Sequence, residues 1–185
     1  GTGTLTVTTP APTGITVTMA PNPVTAGATS TATVTGTNND EDYSALATCY
    51  IQYGAGGSWA GNVYTSAKAG TWTVTAVYGS LAATTTLTVN PGAVANVTLA
   101  PATASITTDQ EQTYTVQATD DQGNSWTPAV VAWDHDGQGG FNGMTYEPEA
   151  ADGGNVVTIT ATVDTVPSNA AALTVISSGG SGTPL

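Results

Sequence analysis

Asp134-His135-Asp136 is the one place in the chain where an imidazole stands between two carboxylates, the groups from which metal sites and proton relays are built. On an extended backbone alternate side chains face opposite ways, so Asp134 and Asp136 share a face and His135 turns from it. Such a segment reads equally as a solvated strand terminus running into Gly137. Oxygen-rich turns are the other candidates. Residues 38–42 read Asn-Asn-Asp-Glu-Asp, and Asp120, Asp121 and Asn124 fall together in a second turn. Calcium is the cation that such hard ligands suit. Neither stretch has the spaced ligands and bidentate glutamate of a full calcium loop, and both carry the residues of ordinary polar turns. One His, one Cys (Cys49), one Lys (Lys68) and no Arg leave few ways to assemble an acid, a base and a nucleophile. The inventory predicts a protein that is not an enzyme and needs no cofactor, calcium at residues 38–42 or at Asp120, Asp121 and Asn124 being the candidate.

Two further features bear on binding and modification. Trp59, Tyr64, Trp126, Phe141 and Tyr146 fall in or beside apparent loops, where such rings stack on sugars or roof a small core. Asn96-Val97-Thr98 is the only N-glycosylation sequon, and exposed threonines permit O-glycosylation. The net charge of −12 excludes a phosphate-binding surface, because counterion release needs clustered cations. Nucleic acid and anionic membrane are therefore poor partners. Only three acids, Asp40, Glu41 and Asp42, precede residue 91, and ten follow it. Charged residues make up 8%, against roughly 25% in ordinary domains, and Thr alone is about a fifth of the chain, so the surface is built from hydroxyls, Gly and Ala. No run of 18 apolar residues offers a membrane span. A single cysteine forms no disulfide within the chain; Cys49 reads as a buried thiol in a strand or as a bridge between subunits.

The elements that must position these groups are strands. Ile15, Val17 and Met19 alternate with Thr16 and Thr18; Ala32 and Val34 form an inward face; Trp72, Val74, Ala76 and Tyr78 oppose Thr71, Thr73 and Thr75. The alternation resumes with Tyr114, Val116 and Ala118, with Val131 and Trp133, and with Val157, Ile159, Ala161 and Val163. Residues 45–53 read as a strand, residues 54–61 as a Gly-rich loop, and Pro21 and Pro23 as a break where an edge strand changes sheets. No window of eleven residues holds a 3.6 period with caps, so essentially no helix is expected. The fold class is all-β, two tandem β-sandwiches with an extra N-terminal strand. Residues 1–13 are that strand and a Pro-rich connector, 14–90 the first domain, 91–176 the second and 177–185 a Gly/Ser-rich tail. A short joint at residues 90–93 is expected to hold the domains end to end. Trp72, Val74 and Leu87 are expected in one core, and Val116, Trp133, Ile159 and Leu173 in the other.

The chain is organised around a recurrence. Leu5-Thr6-Val7 returns as Leu87-Thr88-Val89 and as Leu173-Thr174-Val175, at spacings of 82 and 86 residues. The later two copies each close a domain; the first precedes any domain it could close. It is either the last strand of a preceding repeat or a strand that completes a neighbouring molecule.

The stretch AGTWTVTAVYGSLAATTTLTV, residues 69–89, resembles the closing hairpin of bacterial immunoglobulin-like domains, which recur in tandem in adhesins and surface-layer proteins. Residues 97–134 resemble the opening half of the same family, and the resemblance spans about residues 14–176, departing from the pattern between Gly137 and Asp152. It implies an immunoglobulin-like sandwich and a secreted or cell-surface setting. Residues 1–9 are placed as in pilins and archaeal thread-like filaments assembled by donor-strand complementation, and this second resemblance implies that Thr4, Leu5, Thr6, Val7 and Thr8 pair into another subunit. The expected function is a structural subunit of an extracellular filament joined head to tail by strand donation, its partners copies of itself and covalent glycans. The alternative is a pair of spacer or ligand-binding repeats from a large surface adhesin or surface-layer protein.

Overall fold

The structure is a computed structural model that describes residues 10–178, so residues 4–8 and most of the tail lie outside it. The chain divides into two compact units between Gly92 and Ala93. The first contains β1 (Ile15–Ala20), β2 (Val24–Thr25), β3 (Thr29–Gly36), β4 (Thr48–Ile51), β5 (Ser58–Ala60), β6 (Val63–Thr65), β7 (Gly70–Tyr78) and β8 (Leu81–Asn90). These form two sheets of order β1-β3-β6-β5 and β2-β8-β7-β4. That is the strand arrangement of an immunoglobulin-like sandwich, with the first strand divided between the sheets.

The division has a local cause. Alternation buries Ile15, Val17 and Met19 and exposes Thr16 and Thr18; Pro21 and Pro23 then supply no N–H for a ladder. The chain leaves β3 and re-forms as β2, which runs parallel to β8 through Val24↔Val89 and Thr25↔Asn90. Asn22 ties the crossing, its side chain donating to Thr86 O (2.8 Å) and accepting from Thr88 N (3.0 Å). The core holds Val34, Val74, Leu87 and the phenol ring of Tyr64, all fully buried. Trp72, expected in that core, is only half-buried and packs against it. Its indole N–H donates to Lys68 O at 2.8 Å, which fixes it as a lid at the sandwich end. Cys49 is a buried thiol facing inward from β4.

The second unit repeats the plan: β9 (Asn96–Ala100), β10 (Thr103–Thr107), β11 (Gln112–Thr113), β12 (Thr115–Thr119), β13 (Ser125–Trp126), β14 (Ala132–His135), β15 (Gly140–Asn142), β16 (Thr145–Glu147), β17 (Val156–Val163), β18 (Val166–Pro167) and β19 (Ala171–Ile176). One sheet runs β10-β19-β17-β14, with β18 beside β17. Facing it are β13-β12-β9 and β11-β16-β15, and Tyr114 N donates to Met144 O (2.9 Å) at the point where β11 passes into β12. Val116, Ile159 and Leu173 are buried as the alternation requires, and Trp133 is half-buried against them. The stretch between Gly137 and Asp152, which departs from the resemblance, holds the β15–β16 hairpin and one 3-10 turn, Ala150–Asp152. That turn is the only helical element among the described residues.

Both units share a device at the middle hairpin. Gly57-Ser58-Trp59-Ala60-Gly61-Asn62-Val63-Tyr64 aligns with Gly139-Gly140-Phe141-Asn142-Gly143-Met144-Thr145-Tyr146, a pattern of Gly-x-aromatic-x-Gly-x-x-Tyr. Gly61 and Gly143 sit at φ +61° and +62°, as the tight turns demand. The aromatic residue pairs across the hairpin with the tyrosine, Trp59↔Tyr64 and Phe141↔Tyr146. A Cβ on the leading glycine would overlap the carbonyl oxygen that follows the tyrosine, Thr65 O in one unit and Glu147 O in the other.

Candidate functional site

Asp152 is one of two buried carboxylates of the second unit, with Asp120, and sequence reasoning did not single it out. It caps the 3-10 turn below β16, with four groups converging on it. Oδ1 accepts the N–H of Gln138 (2.7 Å), and Oδ2 accepts the N–H of Gly139 (3.0 Å), the N–H of Glu149 (3.0 Å) and the phenol of Tyr146 (3.0 Å). Burial pushes its carboxyl up, but the donors from Gln138, Glu149, Tyr146 and Gly139 outweigh this and hold it below its ordinary value of 3.8. Burial and then the hydrogen bond to Asp152 push the Tyr146 phenol up to about 12. The ring of Tyr146 meets Phe141 at 5.3 Å and His135 at 5.3 Å, and Phe141 stacks on Trp133 at 4.0 Å. This is a charged pin beneath an aromatic core. Its acceptor oxygens are taken by main-chain donors that hold the irregular segment in place.

His135 belongs to that aromatic cluster, turned inward while Asp134 and Asp136 face out as alternation predicts. Asp136 accepts the N–H of Thr158 at 2.7 Å. The three residues therefore do not converge. In the second turn Asp120 is buried, its Oδ1 accepting the N–H groups of Gln122 (2.9 Å) and Asn124 (2.8 Å) and its Oδ2 the side-chain amide of Asn124 (2.9 Å). Asp121 is exposed. At residues 38–42, Asp42 accepts from the N–H and hydroxyl of Ser44. Among the described residues no group of three His, Cys, Asp or Glu is placed to hold a metal ion.

The aromatics expected to be available for sugars are differently placed. Tyr64 and Tyr146 are fully buried, because each is the inward residue of a short hairpin strand; Tyr64 donates to Gly56 O at 2.6 Å. Trp59, Trp126 and Phe141 are half-buried, Trp59 packing on Tyr64 at 5.1 Å. The exposed rings are instead Tyr50 and Tyr53, which the sequence placed within a strand running to residue 53. The strand stops at Ile51, so Tyr53 stands in solvent beside Gln52 and Lys68, along an open groove. Asn96 is exposed at the start of β9, with its amide 3.4 Å from Thr98 Oγ1. The strand-donor residues Thr4, Leu5, Thr6, Val7 and Thr8 lie outside the described residues, but the other two copies of their core sequence are well defined. Leu87, Val89, Leu173 and Val175 are all buried.

No protein family and no curated protein matches the chain. Solved bacterial structures share its architecture. InvD from Yersinia pseudotuberculosis aligns with a TM-score of 0.59 and 22% identity over 95% of this chain and 62% of its own. Invasin, described as a bacterial integrin-binding protein, aligns with a TM-score of 0.56 and 18% identity over 87% of this chain and 40% of its own. The chain thus spans about three fifths of the one and two fifths of the other. At such identities the likeness establishes the fold: tandem immunoglobulin-like β-sandwiches of the bacterial type. No helix among the described residues is long and apolar enough to cross a membrane.

Proposed function

We propose that the chain is a non-catalytic structural component of an extracellular or surface-displayed assembly, its two sandwiches serving as rigid repeats. Two observations support this: its buried carboxylates, Asp120 and Asp152, are used to pin turns, and its fold is one that invasin and InvD also use. The finer reading is a filament subunit polymerised head to tail, with residues 4–8 of one copy added as a strand to a sandwich of the next. The single observation that carries it is the additional Leu-Thr-Val at residues 5–7. In both described copies that sequence is a core strand with Leu and Val buried, so Leu5 and Val7 have the makings of a strand that needs a sheet. Such a contact joins unlike surfaces and does not close on itself, so it propagates as a fibre. Asn96 is the place for covalent sugar on a surface with few charges.

The second reading is that the chain is two repeats of a larger surface protein, with residues 1–9 the last strand of a preceding repeat. It is favoured by the chain's spanning only part of the length of InvD and invasin. Negative-stain microscopy of the purified chain separates the two. Fibres that vanish on deletion of residues 1–9 support the filament; discrete particles, unchanged by the deletion, support the larger array.

A further inference from the structure

The sandwich edges differ in what they offer an incoming strand. β14 pairs with β17 on one side only and is the last strand of its sheet; β15 is the last strand of the facing sheet. Between these two edges lies a groove of about 270 Å³ lined by Ala129, Val130, Val131, Trp133, Gly143 and Met144, without a charged group. Trp133 closes its floor by donating from Nε1 to Gly143 O at 3.0 Å. Val130 is 81% exposed, an unusual position for a valine beside an apolar groove. Among the described residues, the main chain of residues 129–131 has no hydrogen-bond partner, which leaves a run of open amides leading into β14. The first unit is closed at the equivalent place. There the main chain before β4 is engaged in a local turn, with Leu46 N and Ala47 N both donating to Tyr43 O and Tyr43 N donating to Val34 O.

The groove asks for a short, uncharged strand with two branched apolar side chains on one face. Residues 4–8, Thr-Leu-Thr-Val-Thr, have that composition, and the other two Leu-Thr-Val strands are already buried in their own sheets. Resting on the head-to-tail reading, we infer that the β14 edge of the second unit is the acceptor. Residues 4–8 of another copy add beside residues 129–133, Leu5 and Val7 entering the groove over Trp133 and Met144, and the threonines facing water.

The test uses the full chain. Val130→Asp changes an exposed residue and leaves both cores untouched. It is expected to lower the sedimenting, fibre-containing fraction about tenfold, as deletion of residues 1–9 does, with unfolding midpoints unchanged. In a second measurement, chains carrying Thr6→Cys are mixed with chains carrying Val130→Cys under mild oxidation; Cys49 is buried and stays out of the reaction. A disulfide-linked dimer of the two variants is expected in the mixture. If deletion of residues 1–9 removes fibres but Val130→Asp does not, or if Thr6→Cys links elsewhere, the acceptor assignment is overturned while the filament reading stands. If the wild-type chain forms no fibres, or the deletion leaves them intact, that reading falls and this inference with it.

Discussion

Asp152 shows how one side chain can organise a segment that has little regular structure. Replacing it with Asn turns an amide N–H₂ toward donors that need an acceptor, and the second unit is expected to lose about 1–3 kcal/mol of stability, measurable by urea unfolding. The pH dependence has a definite sign. The folded carboxyl lies below its ordinary value of 3.8, so its contribution is fully present above about pH 4 and is lost as pH falls through the lower folded value. Unfolding midpoints of the wild type should drop over that range, and those of Asp152→Asn should drop less. None of this was legible in the sequence, where Asp152 follows Glu147 and Glu149 as one more loop acid; its role comes from three main-chain N–H groups that only the fold brings together. The sequon at Asn96 was read from the sequence, and the structure leaves its side chain exposed at the start of β9. Mass spectrometry of the native peptide containing Asn96 is expected to show a glycan, and an unmodified peptide at full yield would remove the site.

At the scale of elements, the long half-buried strands could be read from alternation alone: β1, β3, β12, β17 and β19 bury the residues that the pattern selects, and β7 buries Val74 and Ala76 while Trp72 and Tyr78 at its ends are half-buried. The hairpins β5–β6 and β15–β16 could not, because three-residue strands among glycines carry too little period. Hence Tyr64 and Tyr146 were assigned to loop surroundings. The signal that would have found them is the repeated Gly-x-aromatic-x-Gly-x-x-Tyr, displaced by 82 residues, close to the 86 that separate Leu87 from Leu173. The leading glycine of that pattern is structural: Gly57 has φ +72° and no room for a Cβ beside Thr65 O. Gly57→Ala should therefore cost about 2–4 kcal/mol. Leu87→Ala, in a fully buried position, should cost about 3–5 kcal/mol, and Trp72→Ala, half-buried at the sandwich end, about 2–3 kcal/mol. Denaturant unfolding of the three variants checks that order.

Across the whole molecule, each unit has its own core, and the fragments 10–92 and 93–178 are each expected to unfold cooperatively when expressed alone, as followed by tryptophan fluorescence and calorimetry. The parallel pairing of an early strand with the last strand sets a difference between the units. Stretched from its ends, a sandwich so built loads the hydrogen bonds between those two strands side by side, in shear, and they must break together rather than one after another. In the second unit β10 runs beside β19 from Thr103 to Thr107, with Ala172 N to Ala102 O and Thr108 N to Ile176 O extending the clasp at either end. In the first, β2 meets β8 only at Val24 and Thr25, with Ala26 N to Asn90 O beyond. Under an optical trap or a force microscope the first unit is expected to rupture at the lower force, giving the chain a weak link that extends before the second yields.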